Sequence, residues 1–240
     1  MAHILPPAPY YARMLKVLNL RSTLAVFCLA SMSALHAGDP VHEERNRIAN
    51  PGFESGRSDW KLFIAPQSQT GPSQEPLFEV VEDNKHGGNA SARTNSETGE
   101  RYSLKADGPA LEVTAGQRYH VSAWVRFGDD ARLVKNLPGA YVRLTLSQAD
   151  GKDIKDPLLH IHICVNGKIF RSPLFSKGRA NIYQLPSGWQ KLEGVIEIPA
   201  SAKSVTPELY VHGVTGSVNW DDIEMVEVAS SAPLSKIISE

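Results

Sequence analysis

Beyond residue 37 an alternation of apolar and polar positions with a period of two dominates the chain, and no apolar i, i+3, i+4 stripe runs longer than two turns. The clearest case is 118–127, where Tyr119, Val121, Ala123, Val125 and Phe127 share one face and His120, Ser122, Trp124 and Arg126 the other. The stretch 141–147 repeats it, with Val142, Leu144 and Leu146 on the face expected to be core and Tyr141, Arg143 and Thr145 opposite. Further strands are predicted at 77–82, 101–105, 158–165, 189–198, 207–212 and 218–228.

Turn signals punctuate these runs: His86-Gly87-Gly88-Asn89, Asp107-Gly108-Pro109, Ala115-Gly116, Leu137-Pro138-Gly139, Pro186-Ser187-Gly188 and Gly213. Many short strands without helical crossovers predict an all-β fold, an antiparallel two-sheet β-sandwich of the jelly-roll kind. Two segments, 64–76 and 166–188, read as long excursions of the sort that often carry function.

The N-terminal segment is different in character. Residues 1–37 carry Arg13, Lys16 and Arg21, no acid, an apolar run from Leu24 to Ala30 and then small residues up to Ala37, which is the pattern of a cleaved secretory signal peptide. Met14 would open a more typical signal and is an alternative start. The domain organisation expected is a signal at 1–37, a linker at 38–45, one sandwich at 46–228 and a flexible tail at 229–240. After cleavage no stretch is apolar and long enough for membrane insertion.

Removing the signal leaves 22 basic and 26 acidic residues, a net charge of −4. That gives nucleic acid and other polyanions no general attraction and points to neutral partners. Cys28 leaves with the signal, so the secreted chain holds Cys164 alone and forms no internal disulfide. The alternative for Cys28, lipid anchoring, meets Phe27 where a lipoprotein signal wants a small residue.

Three landmarks occur in order: Asn50-Pro51-Gly52-Phe53-Glu54 followed by Trp60; Ala115-Gly116-Gln117-Arg118-Tyr119 running on to Trp124; and Gly188-Trp189-Gln190-Lys191-Leu192, closed by Asn219-Trp220-Asp221-Asp222-Ile223. Together, over about 46–228, they resemble the carbohydrate-binding modules of the cellulase-associated family 4/9 type and their galactose-binding-like relatives. The resemblance implies a jelly roll whose concave face or loop edge binds a polysaccharide or oligosaccharide, as a non-catalytic accessory to a separate glycoside hydrolase.

Candidate chemistry follows from the residues and from that resemblance. A jelly roll that joins its first and last strands would bring Glu54 near Asp221 and Asp222, and the repulsion calls for a cation. Hard carboxylate and carbonyl oxygens suit Ca²⁺, and similar modules often carry a structural one. Glu54 and Asp222 are the expected side-chain ligands, with Lys85–Gly88 supplying carbonyls; the alternative is solvated carboxylates at strand ends.

A sugar site needs a flat aromatic ring under the C–H face of a pyranose, flanked by planar polar groups. If strands alternate between sheets, 101–105, 141–147 and 207–212 lie in the front sheet and 118–127, 189–198 and 218–228 behind. Read for exposed positions, the front strands give Tyr102, Tyr141, Arg143, Glu208, Tyr210 and His212, with Tyr183 as a second wall. Tyr102 leads, because the resembling modules often present their stacking aromatic on the segment matching Glu100-Arg101-Tyr102.

Trp60, Trp189 and Trp220 read as structural seals, and Trp124 as either covered by a loop or exposed on the back sheet. Outside the resemblance, His160, His162 and Cys164 project from one strand face, which is either a transition-metal stripe or a polar face. No G-x-S-x-G elbow or H-E-x-x-H motif is present. The expected function is therefore a secreted, non-catalytic module binding a neutral polysaccharide, with an adhesion or structural domain as the alternative.

Overall fold

The computed structural model describes residues 45–64, 76–134, 139–154, 160–164, 169–171 and 185–236. They contain thirteen strands and no helix: β1 (Trp60–Ile64), β2 (Leu77–Val81), β3 (Ser91–Ser96), β4 (Tyr102–Ala106), β5 (Leu111–Glu112), β6 (Arg118–Phe127), β7 (Arg132–Leu133), β8 (Gly139–Ser147), β9 (Ile161–Cys164), β10 (Ile169–Arg171), β11 (Trp189–Glu197), β12 (Ser204–His212) and β13 (Val214–Val228). The expected signal peptide and Tyr183 lie outside the described residues.

The strands form two antiparallel sheets. The front sheet runs β1-β4-β12-β8-β9-β10, with β5 also on β12, and the back sheet runs β11-β6-β13-β3-β2, with β7 on β13. From β3 onward the long strands mostly change sheet at each step, as the sequence pattern predicted for 101–105, 141–147 and 207–212 against 118–127, 189–198 and 218–228. Pro207 has no N–H to give, and the β12–β4 ladder stops beside it at Glu208–Lys105; β5 takes over that edge at Ser204 and Val205.

The core lies between the sheets and is built by the period-two pattern. Tyr119, Val121, Ala123, Val125 and Phe127 of β6 meet Val142, Leu144 and Leu146 of β8, and all are at most 4% exposed. Burying each large side chain is worth about 1.5–3 kcal/mol. Phe53 tilts against Trp60 with centroids 5.5 Å apart, and Trp220 is fully buried, so two of the three tryptophans read as seals close the sandwich.

One strand escapes the hydrophobic pattern. β3 reads Ser-Ala-Arg-Thr-Asn-Ser and is held by ladders on both sides, to β2 and to β13, rather than by apolar content. β1 completes the front sheet against β4. Beyond Val228, where the sequence suggests a flexible tail, the Ser235 N–H donates to the Val195 carbonyl of β11, Ser235 Oγ accepts from the Val195 N–H, and the Ala232 carbonyl accepts from Arg118.

Candidate functional site

The outer face of the front sheet collects the candidate side chains in two cross-strand rows. One row runs Phe63 (β1), Ser103 (β4), Tyr210 (β12), Tyr141 (β8) and Cys164 (β9). The next runs Lys61, Lys105, Glu208, Arg143 and His162 along the same strands. Neighbouring positions in such rows have Cβ atoms about 5 Å apart, so side chains touch along each row, although Ser103, Tyr210, Tyr141, Cys164, Glu208 and His162 are buried.

Tyr102 is not part of it. It shares a face with Leu104, is fully buried in the core, and its hydroxyl donates to Thr94 Oγ1 of the back sheet at 3.1 Å. Burial pushes its phenol up above the usual range. The expectation of an exposed stacking ring is thus overturned by register: with Leu104 facing in, a residue two positions away must also face in.

Tyr141 and Tyr210 do lie on the outer face but are 5% and 3% exposed. Their rings stack on each other, 5.0 Å apart and 17° from parallel, and with Cys164 they form a small hydrophobic cluster separate from the core. The freely exposed pair of rings expected from the sequence is therefore a closed aromatic stack. The ring that is open is Phe63, 42% exposed at the β1 end of the same row. Phe63 escaped the sequence reading because β1 was not recognised; Trp60, Leu62 and Ile64 alternating inward were the available signal.

Glu208 is buried, and its carboxylate accepts from Thr145 Oγ1 at 2.7 Å and Ser103 Oγ at 3.0 Å. The Arg143 guanidinium sits 5.5 Å from the Tyr210 ring, and its Nε has no hydrogen-bond partner among the described residues. Burial together with the Arg143 charge pushes His162 down to about 3, and burial with Arg101 pushes His212 down to about 4. Both imidazoles are neutral at pH 7.

The His160, His162, Cys164 stripe is buried, at 7%, 5% and 8% exposure. His160 Nδ1 accepts from the Leu146 N–H at 3.2 Å, and burial raises the Cys164 thiol well above its usual range. Among the described residues no group of three or more His, Cys, Asp or Glu side chains is arranged to hold a metal ion.

The carboxylates of Glu54, Asp221 and Asp222 converge on the loop at 85–90. Glu54 Oε1 accepts from the N–H groups of Asn89 at 2.8 Å and Ala90 at 3.3 Å, and Asp221 Oδ2 from those of His86 at 2.7 Å and Gly87 at 3.1 Å. Asp222, at φ 46° in the bulge of β13, meets His86 Nδ1 at 2.7 Å. The approach is so close that a Cβ at Gly88, itself at φ +53°, would lie 2.0 Å from Glu54 Oε1. Backbone amides thus already offset the repulsion that suggested a cation. In donor type the cluster still fits Ca²⁺, since two acidic strand ends present hard oxygens beside a backbone loop.

The same loop covers the back sheet. His86 stacks on Trp124 at 3.8 Å and 18°, and meets the edge of Trp189 at 5.7 Å. Trp124 is therefore the loop-covered case of the two alternatives. A separate polar cavity of about 760 Å³ opens at one end of the sandwich, lined among others by Arg47, Glu112, Gln117, Tyr119 and Lys203.

No protein-family model matches the sequence, and no curated protein is significantly similar to it. Among solved structures the chain is similar to the enzymatically active domain of tailspike protein 4 from bacteriophage CBA120, at 12% identity and a TM-score of 0.49 over 76% of this chain but 21% of that one. It is also similar to a family 16 carbohydrate-binding module, at 15% identity and a TM-score of 0.47, with 76% of this chain and 100% of that one covered. A third is a family 61 module, TmCBM61, solved with β-1,4-galactotriose, at 18% identity and a TM-score of 0.44, covering 77% and 99%. Likenesses this distant assign no function. The class defined by the strands themselves is a two-sheet antiparallel β-sandwich.

Proposed function

We propose that the protein is a secreted, non-catalytic domain that binds a polysaccharide on the outer face of its front sheet. The observation that supports this is the pair of cross-strand rows: an open ring, Phe63, at one end of a face that carries Lys105, Glu208, Arg143 and His212 as hydrogen-bonding groups. Phe63 takes the stacking role expected of Tyr102, while Tyr141 and Tyr210 form the floor. Glycoside hydrolysis by paired carboxylates would need an acid facing Glu208, and its neighbours in the row are Lys105 and Arg143. A separate glycoside hydrolase is the partner such a domain would serve.

Affinity electrophoresis against β-glucans, xylan, mannan and galactan, joined by calorimetry with acidic polymers, tests the reading. Retention by at least one polymer is expected, with Phe63→Ala weakening it about tenfold for the loss of a stacking ring. Absence of binding to every polymer would overturn the glycan reading in favour of an adhesion role.

A structural Ca²⁺ held by Glu54 and Asp222 belongs to the same proposal, with the loop at Lys85–Gly88 adding carbonyl oxygens. Its support is the convergence of acidic side chains on that loop. Chelation is expected to lower the melting temperature by several degrees, because an ion bound only by the folded state stabilises it. An unchanged melting curve, with no calcium in the purified protein, would remove the ion from the proposal.

A further inference from the structure

The net charge of −4 expected after signal cleavage led to a neutral partner, yet that charge is not spread evenly. Ion pairs gather on the outer side of the back sheet: Arg93 with Glu79 and Asp83, Arg118 with Glu197, Lys191 with Glu193, and His120 with Glu193 and Glu224. On the front face Lys61 is matched by Asp107. Lys105 and Arg143 have no ion pair among the described residues, although both flank Glu208 in register. Glu208 instead turns its oxygens to the hydroxyls of Ser103 and Thr145. Arg101 adds its charge beside His212 at the end of β12.

Burial keeps this charge from being diluted. Arg143 is only partly exposed, its Nε is buried without a described acceptor, and the imidazoles of His162 and His212 are neutral and add no charge of their own. A half-buried guanidinium without a carboxylate partner is an expensive arrangement unless an anion completes it. Its planar fork suits a carboxylate or a sulfate. The open ring of Phe63 stands diagonally across from Lys105, one row away, roughly 7–8 Å in a sheet, so one extended ligand can reach both.

We propose that the front-sheet face binds an acidic glycan, with anionic groups of the chain held by Arg143 and by Lys105 on either side of Glu208 and the C–H face of the chain on Phe63. This rests on the reading of the protein as a glycan binder and specifies the substrate class of that site. It replaces the neutral polymer expected from whole-chain charge, because a ligand on one face experiences the local field rather than the sum. Uronates and sulfated sugars share the required chemistry.

The test is calorimetry of the full secreted chain with polygalacturonate, with fully methyl-esterified polygalacturonate of the same backbone, and with a sulfated and an unsulfated galactan. The expected result is at least tenfold tighter binding of an acidic polymer than of its uncharged partner, weakened by raising salt from 20 to about 300 mM. Lys105→Gln with Arg143→Gln should weaken the acidic polymer at least tenfold more than it weakens its uncharged partner. The single variant Lys105→Gln, at a partly exposed position, guards against misfolding of the double variant. Tighter binding of the uronate identifies the anion as a carboxylate, and tighter binding of the sulfated galactan as a sulfate; either supports the proposal. Equal binding of charged and uncharged partners overturns it and leaves the glycan reading standing. Binding of none of the four, nor of any neutral glycan, overturns both.

Discussion

The two sheets of this sandwich treat their outer faces in opposite ways. The back face is charged and self-satisfied: Arg93, Arg118 and Lys191 each have a carboxylate within 3.4 Å, and His120 stands between Glu193 and Glu224. The front face is half-buried, aromatic and unbalanced, with Tyr141 stacked on Tyr210 and with Arg143 and Lys105 in no ion pair among the described residues. A surface whose charges are matched internally gains little from a ligand, whereas unmatched cations beside an open ring gain from one. This asymmetry, rather than the number of aromatic residues, is what the proposed placement of the glycan on the front face rests on.

The largest expected effect tests which side of the front sheet Tyr102 occupies. Replacing it by Ala should cost about 3–5 kcal/mol, because a fully buried ring leaves a cavity between the sheets. Tyr102→Phe should cost about 1 kcal/mol for the lost bond to Thr94 and leave glycan affinity unchanged. Urea unfolding measures both. A Tyr102→Ala protein of wild-type stability would return Tyr102 to the surface and dissolve the distinction drawn between core and face.

Second in size is an acid sensitivity seated on the front face. His162 titrates near 3 when folded and His212 near 4, against about 6.5 in an unfolded chain. Below pH 6.5 the unfolded chain therefore takes up protons that the folded chain refuses, and stability falls as the pH drops toward 4. His162 alone accounts for about 2 kcal/mol by pH 5. His212 adds less, being more open to solvent. The melting temperature should fall over this window, and His162→Gln should flatten the decline. A variant with the wild-type slope would locate the sensitivity elsewhere.

The sheet assignment and the core were legible in the sequence because period two is a direct consequence of strand geometry: Val142, Leu144 and Leu146 face in, and Leu209 and Val211 do the same. The exposure of Tyr141 and Tyr210 was not, since alternation gives the side of a sheet and says nothing of what else covers it. Tyr102 was legible locally, through Leu104, but the resemblance to glycan-binding modules pulled the expectation the other way. Phe63 was missed because β1 was not recognised, although Trp60, Leu62 and Ile64 alternate there. The loop amides that neutralise Glu54 and Asp221 come from residues more than thirty positions away and leave no periodic trace.

A smaller effect sharpens the back side. Trp124→Ala removes the stack under His86 and should cost about 1 kcal/mol, the usual worth of an aromatic pair beyond its buried area. Glycan affinity should not change, as Trp124 faces away from the front sheet. Loss of binding in this variant, with the fold intact by circular dichroism, would make the back face part of the site.

The smallest effect compares one charge deletion on each face. Arg93 bridges Glu79 and Asp83 with its side chain only 25% exposed, so Arg93→Met should cost about 0.5–1 kcal/mol, and the cost should shrink in 1 M salt as the pairs are screened. Lys105→Gln removes a cation that no described acid pairs, so it should leave stability within about 0.5 kcal/mol of wild type at either salt concentration. Chemical denaturation of both variants at low and high salt reads the difference. If Lys105→Gln proved as costly and as salt-sensitive as Arg93→Met, the front cations would be matched within the protein, and the face would have no unbalanced charge left to offer a ligand.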